Sequence, residues 1–111
     1  MIRVEELKRK YRAHIDGEMT IYNAMELKEK LLPLLSDKRE LELNLSNVTE
    51  IDSAGVQLLM LARKERVNRE QKLNLTEHSS AVLDVFELMD LVTYFNDPVV
   101  LPGIKGAKRG T

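Results

Sequence analysis

Chemistry in this chain starts with one hydroxyl. Ser53 lies in the run Ser46-Asn47-Val48-Thr49-Glu50-Ile51-Asp52-Ser53-Ala54-Gly55-Val56, between a strand pattern and a helix pattern. A serine at such a turn can cap a helix, act as a nucleophile or be modified, and its neighbours decide which. Capping needs only the side-chain oxygen, which accepts an otherwise unpaired backbone N–H of the first helical turn and contributes about 1 kcal/mol. Gly55 asks for more than a cap, because glycine costs roughly 1 kcal/mol against alanine inside a helix. Close approach by another molecule would account for it. Val56 stands where a capping box would carry a carboxylate, so the positive end of the helix stays open to an incoming anion.

A nucleophilic role finds no support. Asp52 beside Ser53 does not make a triad, and a Gly-x-Ser-x-Gly elbow would need glycine at position 51, which is Ile51. There is neither a Gly-x-Gly-x-x-Gly turn nor a phosphate loop ending in Gly-Lys-Ser/Thr. His14 falls on the polar side of a strand and His78 just before a helix, positions that suit surface or capping roles. With two histidines, no cysteine and no ligand spacing, no metal and no cofactor is expected. The chain therefore does not read as an enzyme.

The elements that must position Ser53 follow from hydrophobic period. Tyr11, Ala13 and Ile15 alternate with Arg12, His14 and Asp16, the period of a half-buried strand, which Gly17 ends. From Asn23 to Leu35 the period becomes helical through Ala24, Leu27 and Leu31, with Asn23 and Glu26 spaced as a capping box. Pro33 should kink or end that helix near Leu32, since an internal proline costs about 3 kcal/mol. Leu41, Leu43 and Leu45 alternate with Glu42 and Asn44 as a second strand. A polar connection leads to a helix from Ser53 to about Asn68, striped by Val56, Leu59, Met60 and Val67. Lys72 to Thr76 gives a third strand. Ser79 or Ser80 caps a helix carrying Val82, Val85, Phe86 and Met89. A short strand at Val4 to Leu7 and an edge strand at Val99 to Leu101 are further candidates.

Alternation of strands and helices implies crossover connections and a mostly parallel sheet. Alternation within the strands implies one covered face and one wetter face. The expected fold is a two-layer α/β sandwich, a mixed but mostly parallel sheet of about four to five strands with helices mainly on one face. Residues 1–102 form a single domain in this reading, and 103–111, glycine-rich and basic, a flexible tail.

Composition agrees with one small soluble domain. The chain has 111 residues, 43% hydrophobic and 5% aromatic, and a net charge of −1. That is enough apolar material for one core and too little basic excess or aromatic surface for a dedicated nucleic-acid binder. No run approaches the roughly 20 apolar residues of a membrane span, and the N-terminus carries no apolar signal core. A cytoplasmic protein, monomer or weak dimer, is expected.

Three segments together resemble one family. Ile51-Asp52-Ser53-Ala54-Gly55-Val56 after Asn44-Leu45-Ser46, Gly17-Glu18-Met19-Thr20-Ile21-Tyr22 before the Leu27 to Leu31 helix, and Val82 to Met89 ahead of Leu91 and Phe95 are similar to STAS domains, named for sulfate transporters and anti-sigma-factor antagonists. The likeness spans about Tyr11 to Val100. For the antagonist branch it implies that Ser53 is phosphorylated by a partner serine kinase that is itself the anti-sigma factor, that the unmodified protein binds this partner, and that a serine phosphatase resets the cycle. It implies a partner-binding surface of Asp52, Ser53, Ala54, Gly55 and Val56. Asn44 stands where STAS proteins commonly carry Asp, and Val56-Gln57-Leu58-Leu59 departs from the family's frequent Leu-Gly, which marks a divergent branch.

STAS domains also serve as accessory subunits of transport or other signalling complexes, where the same surface docks without being phosphorylated. That is the alternative reading. Arg63, Lys64, Arg66, Arg69 and Lys72 read as a solvated helix end opposing the C-terminal dipole. Met19, Met25, Met60 and Met89 read as core fillers.

Overall fold

The computed structural model of the chain describes residues 1–96. Its first strand, β1 (Ile2–Glu6), runs antiparallel to β2 (Lys10–Ile15); β4 (Glu40–Asn44) and β6 (Leu73–Thr76) extend the sheet in parallel, in the order β1-β2-β4-β6 once β3 (Gly17–Met19) and β5 (Val48–Ile51) are set aside as a separate pair. The register aligns Ala13 with Leu43 and Leu43 with Leu75, so each apolar alternation feeds the same face. On that face lie α1 (Ala24–Leu35), which buries Leu27, Leu31 and Leu35, and α2 (Ser53–Asn68), which buries Val56, Leu59 and Ala62. Helix α3 (Ser80–Leu88) adds Val82 and Phe86 to the core, and the short α4 (Val92–Asn96) stacks Phe95 on Phe86 at 4.8 Å.

The opposite face of the sheet is polar and internally paired. Glu42 accepts from Thr76 Oγ1 at 2.8 Å and meets Lys10 Nζ at 3.1 Å and Arg12 Nε at 3.3 Å, while His14 Nε2 lies 2.7 Å from Glu5 Oε1. The mixed, mostly parallel sheet with one wetter face is what the strand alternation predicts.

Several local expectations are corrected. The segment read as a polar connection contains β5, which pairs in parallel with β3 as a two-stranded ribbon interrupted by a bulge at Gly17/Glu18. Val48 and Ile51 are its buried ends and Thr49 and Glu50 its exposed middle, a pattern that does not alternate cleanly. Pro33 does not end α1, which runs to Leu35. The carbonyl that loses its partner belongs to exposed Glu29, where water can replace it, while Leu31 and Leu35 anchor the turn. Asn23 makes no cap bond; its Oδ1 accepts from Thr20 N at 2.8 Å and its amide donates to Glu18 O. The candidate strand at Val99 to Leu101 and the tail lie outside the described residues.

Arg66 departs furthest from its sequence reading. It is not solvated but fully buried, and it gathers carbonyls: Leu35 O at 3.2 Å, Asp37 O at 2.7 Å, Arg39 O at 2.6 Å and Lys72 O at 2.7 Å, with Gln71 Oε1 at 3.2 Å. The guanidinium thus closes the C-terminal end of α1 and joins the two loops that enter β4 and β6. Burial pushes its pKa down, yet an arginine keeps its charge in any protein setting.

Candidate functional site

The turn that presents Ser53 is built on Asp52. Asp52, in extended conformation, is the N-cap of α2: its Oδ1 accepts from Ala54 N at 2.9 Å and Gly55 N at 3.3 Å. Its Oδ2 accepts from Ile21 N at 3.0 Å, across to the turn between β3 and α1. Its own N–H donates to Met19 O at 3.2 Å. One carboxylate therefore locks two chain segments together, and those N–H donors, Ile21 first, hold its pKa below the ordinary aspartate value.

This reassigns the cap. Ser53 is the first residue of α2 and not its N-cap, because the carboxylate one residue earlier already takes the first free amides. The helix end is consequently not left open for an anion. Ser53 itself is exposed, and among the described residues its hydroxyl has no hydrogen-bond partner.

Gly55 is also reassigned. A Cβ there would sit against Met19 O, far inside van der Waals contact, and 2.9 Å from Ile51 Cγ1. The close approach that requires glycine is made by the chain's own β3, not by another molecule. Gly55 and Val56 are buried, and Asp52 and Ala54 are half-buried. Of the five residues read as partner-binding, only Ser53 is exposed, with parts of Asp52 and Ala54 beside it.

Two nearby features hold the frame. Asn44 Oδ1 accepts from Ser46 N at 3.0 Å and Ser46 Oγ at 2.7 Å, turning the chain from β4 toward β5; an amide oxygen serves here as well as a carboxylate. Asp16 accepts from Asn47 Nδ2 at 2.9 Å and from Arg3, which lowers its pKa to about 2. His78 sits edge-on to Phe86 with ring centroids 5.6 Å apart, and burial lowers its pKa.

What sequence reasoning missed is the apolar surface next to Ser53. Met25, read as a core filler, is 70% exposed, and Ile21 and Tyr22 before it are exposed too; Met89, also read as a core filler, is exposed. A groove of about 350 Å³ runs between α1 and α2 beside Ala54, lined by Met25, Lys28, Gln57, Leu58 and Leu61. The helical period from Ala24 to Leu31 could have flagged Met25, which falls off the Leu27 and Leu31 stripe. Among the described residues no three His, Cys, Asp or Glu are placed to hold a metal ion, and no helix is long and apolar enough to cross a membrane. The arrangement can present a hydroxyl on a rigid frame beside an apolar surface. Among the described residues no side chain hydrogen-bonds that hydroxyl.

Comparison with known proteins gives the class. The family described as "Mlab, STAS domain" matches residues 2–101, and the chain belongs to the STAS domain family. It is similar to the anti-sigma-B factor antagonist of Staphylococcus aureus (strain NCTC 8325 / PS 47), 30% identical over 82 residues that cover 73% of this chain and 76% of the relative. The fold matches an anti-sigma factor antagonist from Mycobacterium paratuberculosis, with TM-score 0.76 at 20% identity over 96% of this chain and 89% of that one. It also matches the Bacillus cell fate determinant SpoIIAA in its phosphorylated form, with TM-score 0.64 at 18% identity over 82% of this chain and 85% of that one. Antagonists of this kind are regulatory binding proteins and not enzymes.

Proposed function

We propose that this protein is an anti-sigma-factor antagonist whose partner is an anti-sigma factor with serine kinase activity, and that phosphorylation of Ser53 releases that partner. The observation that carries the reading is the exposed Ser53 hydroxyl at the start of α2, held out by the Asp52 cap with no internal partner. The names of its antagonist relatives, and a fold neighbour known in a phosphorylated form, support it.

The kinase would supply ATP: a bond forms between Ser53 Oγ and the γ-phosphorus, the bond to the ADP oxygen breaks, and the hydroxyl proton passes to a base on the kinase. A phosphatase reverses the state by hydrolysis. The added group brings about −1.5 to −2 charge at pH 7. Because Asp52 already occupies the Ala54 and Gly55 amides, the phosphate gains little from the helix end and is repelled by the neighbouring carboxylate. It therefore stays at the surface, where it opposes a docked partner without unfolding the turn. Every 1.4 kcal/mol of such repulsion is about tenfold in affinity.

The test uses wild-type, Ser53→Ala and Ser53→Asp baits in native lysate, with mass spectrometry of Ser53. Wild type and Ser53→Ala are expected to retain an anti-sigma factor that Ser53→Asp loses, and a phosphopeptide at Ser53 is expected from cells. If all three recover the same partners and Ser53 is never modified, the protein is instead an unphosphorylated accessory subunit of a transport or other signalling complex.

A further inference from the structure

One edge of the main sheet is open. Among the described residues, β2 pairs with one side of β1 and no strand pairs with the other. Which backbone groups face the open side follows from the hydrogen bonds on the closed one. Met1 N donates to Asp16 O at 2.9 Å, Asp16 N to Met1 O at 2.7 Å, and Leu7 N to Lys10 O at 2.9 Å. Bonded pairs recur at every second residue of an antiparallel ladder, and this register has no slip. The N–H and C=O groups of Arg3 and Glu5 therefore turn toward β2, and those of Ile2, Val4 and Glu6 turn outward. An edge strand with free groups is a template for another strand, and β1 has neither proline nor bulge to prevent pairing.

The side chains choose the partner. A second β1, running antiparallel, must set outward-turned residues opposite outward-turned residues, which leaves few registers. Centred on Val4, the pair puts Val4 opposite Val4, Ile2 opposite Glu6, and Arg3 opposite Glu5 on both sides of the two-fold axis. Unlike charges then face each other twice. Centring on Arg3 or Glu5 sets like charges against each other on the axis, and centring on Ile2 or Glu6 leaves most of the strand unpaired. The polar face agrees with the first register. Glu5 lies opposite Arg12, and Arg12 opposite Glu42, a row of alternating charge that ends on a carboxylate at the open edge. Arg3 of a second copy continues that row. Arg3 is held by Asp16 Oδ1 at 3.1 Å, and Glu5 by His14 Nε2 at 2.7 Å, so both side chains are already set over this face. On the other face Val4 is 46% exposed, opposite buried Ala13, and meets its own copy.

We propose that β1 is a docking edge for a second copy of this chain: two main sheets join edge to edge, antiparallel about Val4, into one continuous sheet. Strands of five residues bury less than the about 1,200 Å² of a stable interface, so the dimer is weak and concentration-dependent. The pairing uses no residue of the Ser53 turn and stands whether or not that serine is phosphorylated. It offers a partner two such turns at once.

The test is sedimentation equilibrium of the 111-residue chain over a wide range of concentration. Wild type is expected to dimerise with a dissociation constant on the order of 100 μM. Arg3→Glu and Glu5→Arg are each expected to weaken self-association about tenfold or more at low salt, because like charges then face each other. A mixture of the two should associate again, since an acidic edge meets a basic one in the same register. Register itself is read by cysteine cross-linking in a chain that has no cysteine of its own. Val4→Cys sets two thiols on the axis with Cα atoms about 5.5 Å apart, within disulfide reach. Ile2→Cys sets them four residues apart along the strands, more than about 13 Å. Under a mild oxidant, Val4→Cys is expected to cross-link at least about tenfold faster than Ile2→Cys. A wild type that stays monomeric at about 1 mM overturns the proposal, as does a dimer that Arg3→Glu leaves unchanged or one that Ile2→Cys cross-links as fast as Val4→Cys. Should circular dichroism show the charge variants unfolded, the cross-linking pair decides alone.

Discussion

Asp52 and Arg66 do the same job with opposite charge. At the start of α2, Asp52 draws in the backbone N–H groups of Ile21, Ala54 and Gly55. Near the other end of the same helix, Arg66 draws in the carbonyls of Leu35, Asp37, Arg39 and Lys72. Each ties α2 to loops remote in sequence. They differ in burial: Arg66 is sealed at 0% exposure, whereas Asp52 is half-buried and next to an exposed hydroxyl. A sealed hub puts its worth into stability, because removing it strands polar groups away from water. A half-open hub leaves its surroundings free to be read by a partner.

The largest break of that comparison is Arg66→Met, which leaves several carbonyls without donors. It is expected to lower unfolding stability by roughly 3 kcal/mol, measured by urea denaturation, while Ser53 remains presented wherever the protein stays folded. A loss below about 1 kcal/mol would show that water replaces the guanidinium and that the two hubs are energetically alike.

Gly55→Ala comes next. The new Cβ must displace Met19 O or the helix start, and a cost of about 2 kcal/mol in urea unfolding is expected from overpacking. The same variant should disturb partner binding through the shifted β3, although Gly55 itself is buried.

Asp52→Ala removes the cap and strands Ile21 N, and about 1 kcal/mol or more is expected, with Asp52→Asn recovering only the cap share, because one amide oxygen can accept from Ala54 N and Gly55 N while its Nδ2 cannot accept from Ile21 N. Pressure on this end by acid has a defined sign. The folded pKa of Asp16 is depressed from 3.8 to about 2, and that of Asp52 is depressed as well. The contribution of Asp16 is fully present above the ordinary carboxylate pKa and is lost as pH falls from about 4 through about 2, and that of Asp52 is likewise lost as pH falls below the ordinary aspartate value. Urea midpoints should drop over that window, and Asp16→Asn should flatten the drop. The smallest effect sharpens the contrast: Ser53→Asp is expected to change stability by less than about 0.5 kcal/mol in either direction, measured by thermal melting, since an exposed first-turn position carries function and little fold.

Much of this was legible from the chain alone. Period-2 alternation at Tyr11 to Ile15 and at Leu41 to Leu45 placed the central strands and their wet face, and of the two candidate caps Ser79 and Ser80 the structure selects Ser79, which accepts from Val82 N at 3.2 Å. The Ser53 turn was recognised from residue types, but its roles were misallocated. Both Asp52 and Ser53 are competent caps, and local sequence does not say which backbone angle turns first. Gly55 looked like an opening for a ligand because its real neighbour, Met19, is far away in the chain. The ribbon of β3 and β5 was invisible for a related reason: its strands are short, bulged and paired in parallel across the intervening α1 and β4.

Sequence by itself determined the class of element for the central strands and the longer helices, the faces they present, and the presence of one hydroxyl at a strand-to-helix turn, because these depend on periodicities and caps within a few residues. Tertiary structure alone decided which charges became hubs, which glycine met its own backbone, and which apolar residues were left outside. Those outcomes depend on what arrives from elsewhere in the chain: Arg66 is buried where the last carbonyl of α1 and three loop carbonyls converge on it, and Tyr22 is exposed because nothing in the described residues covers it.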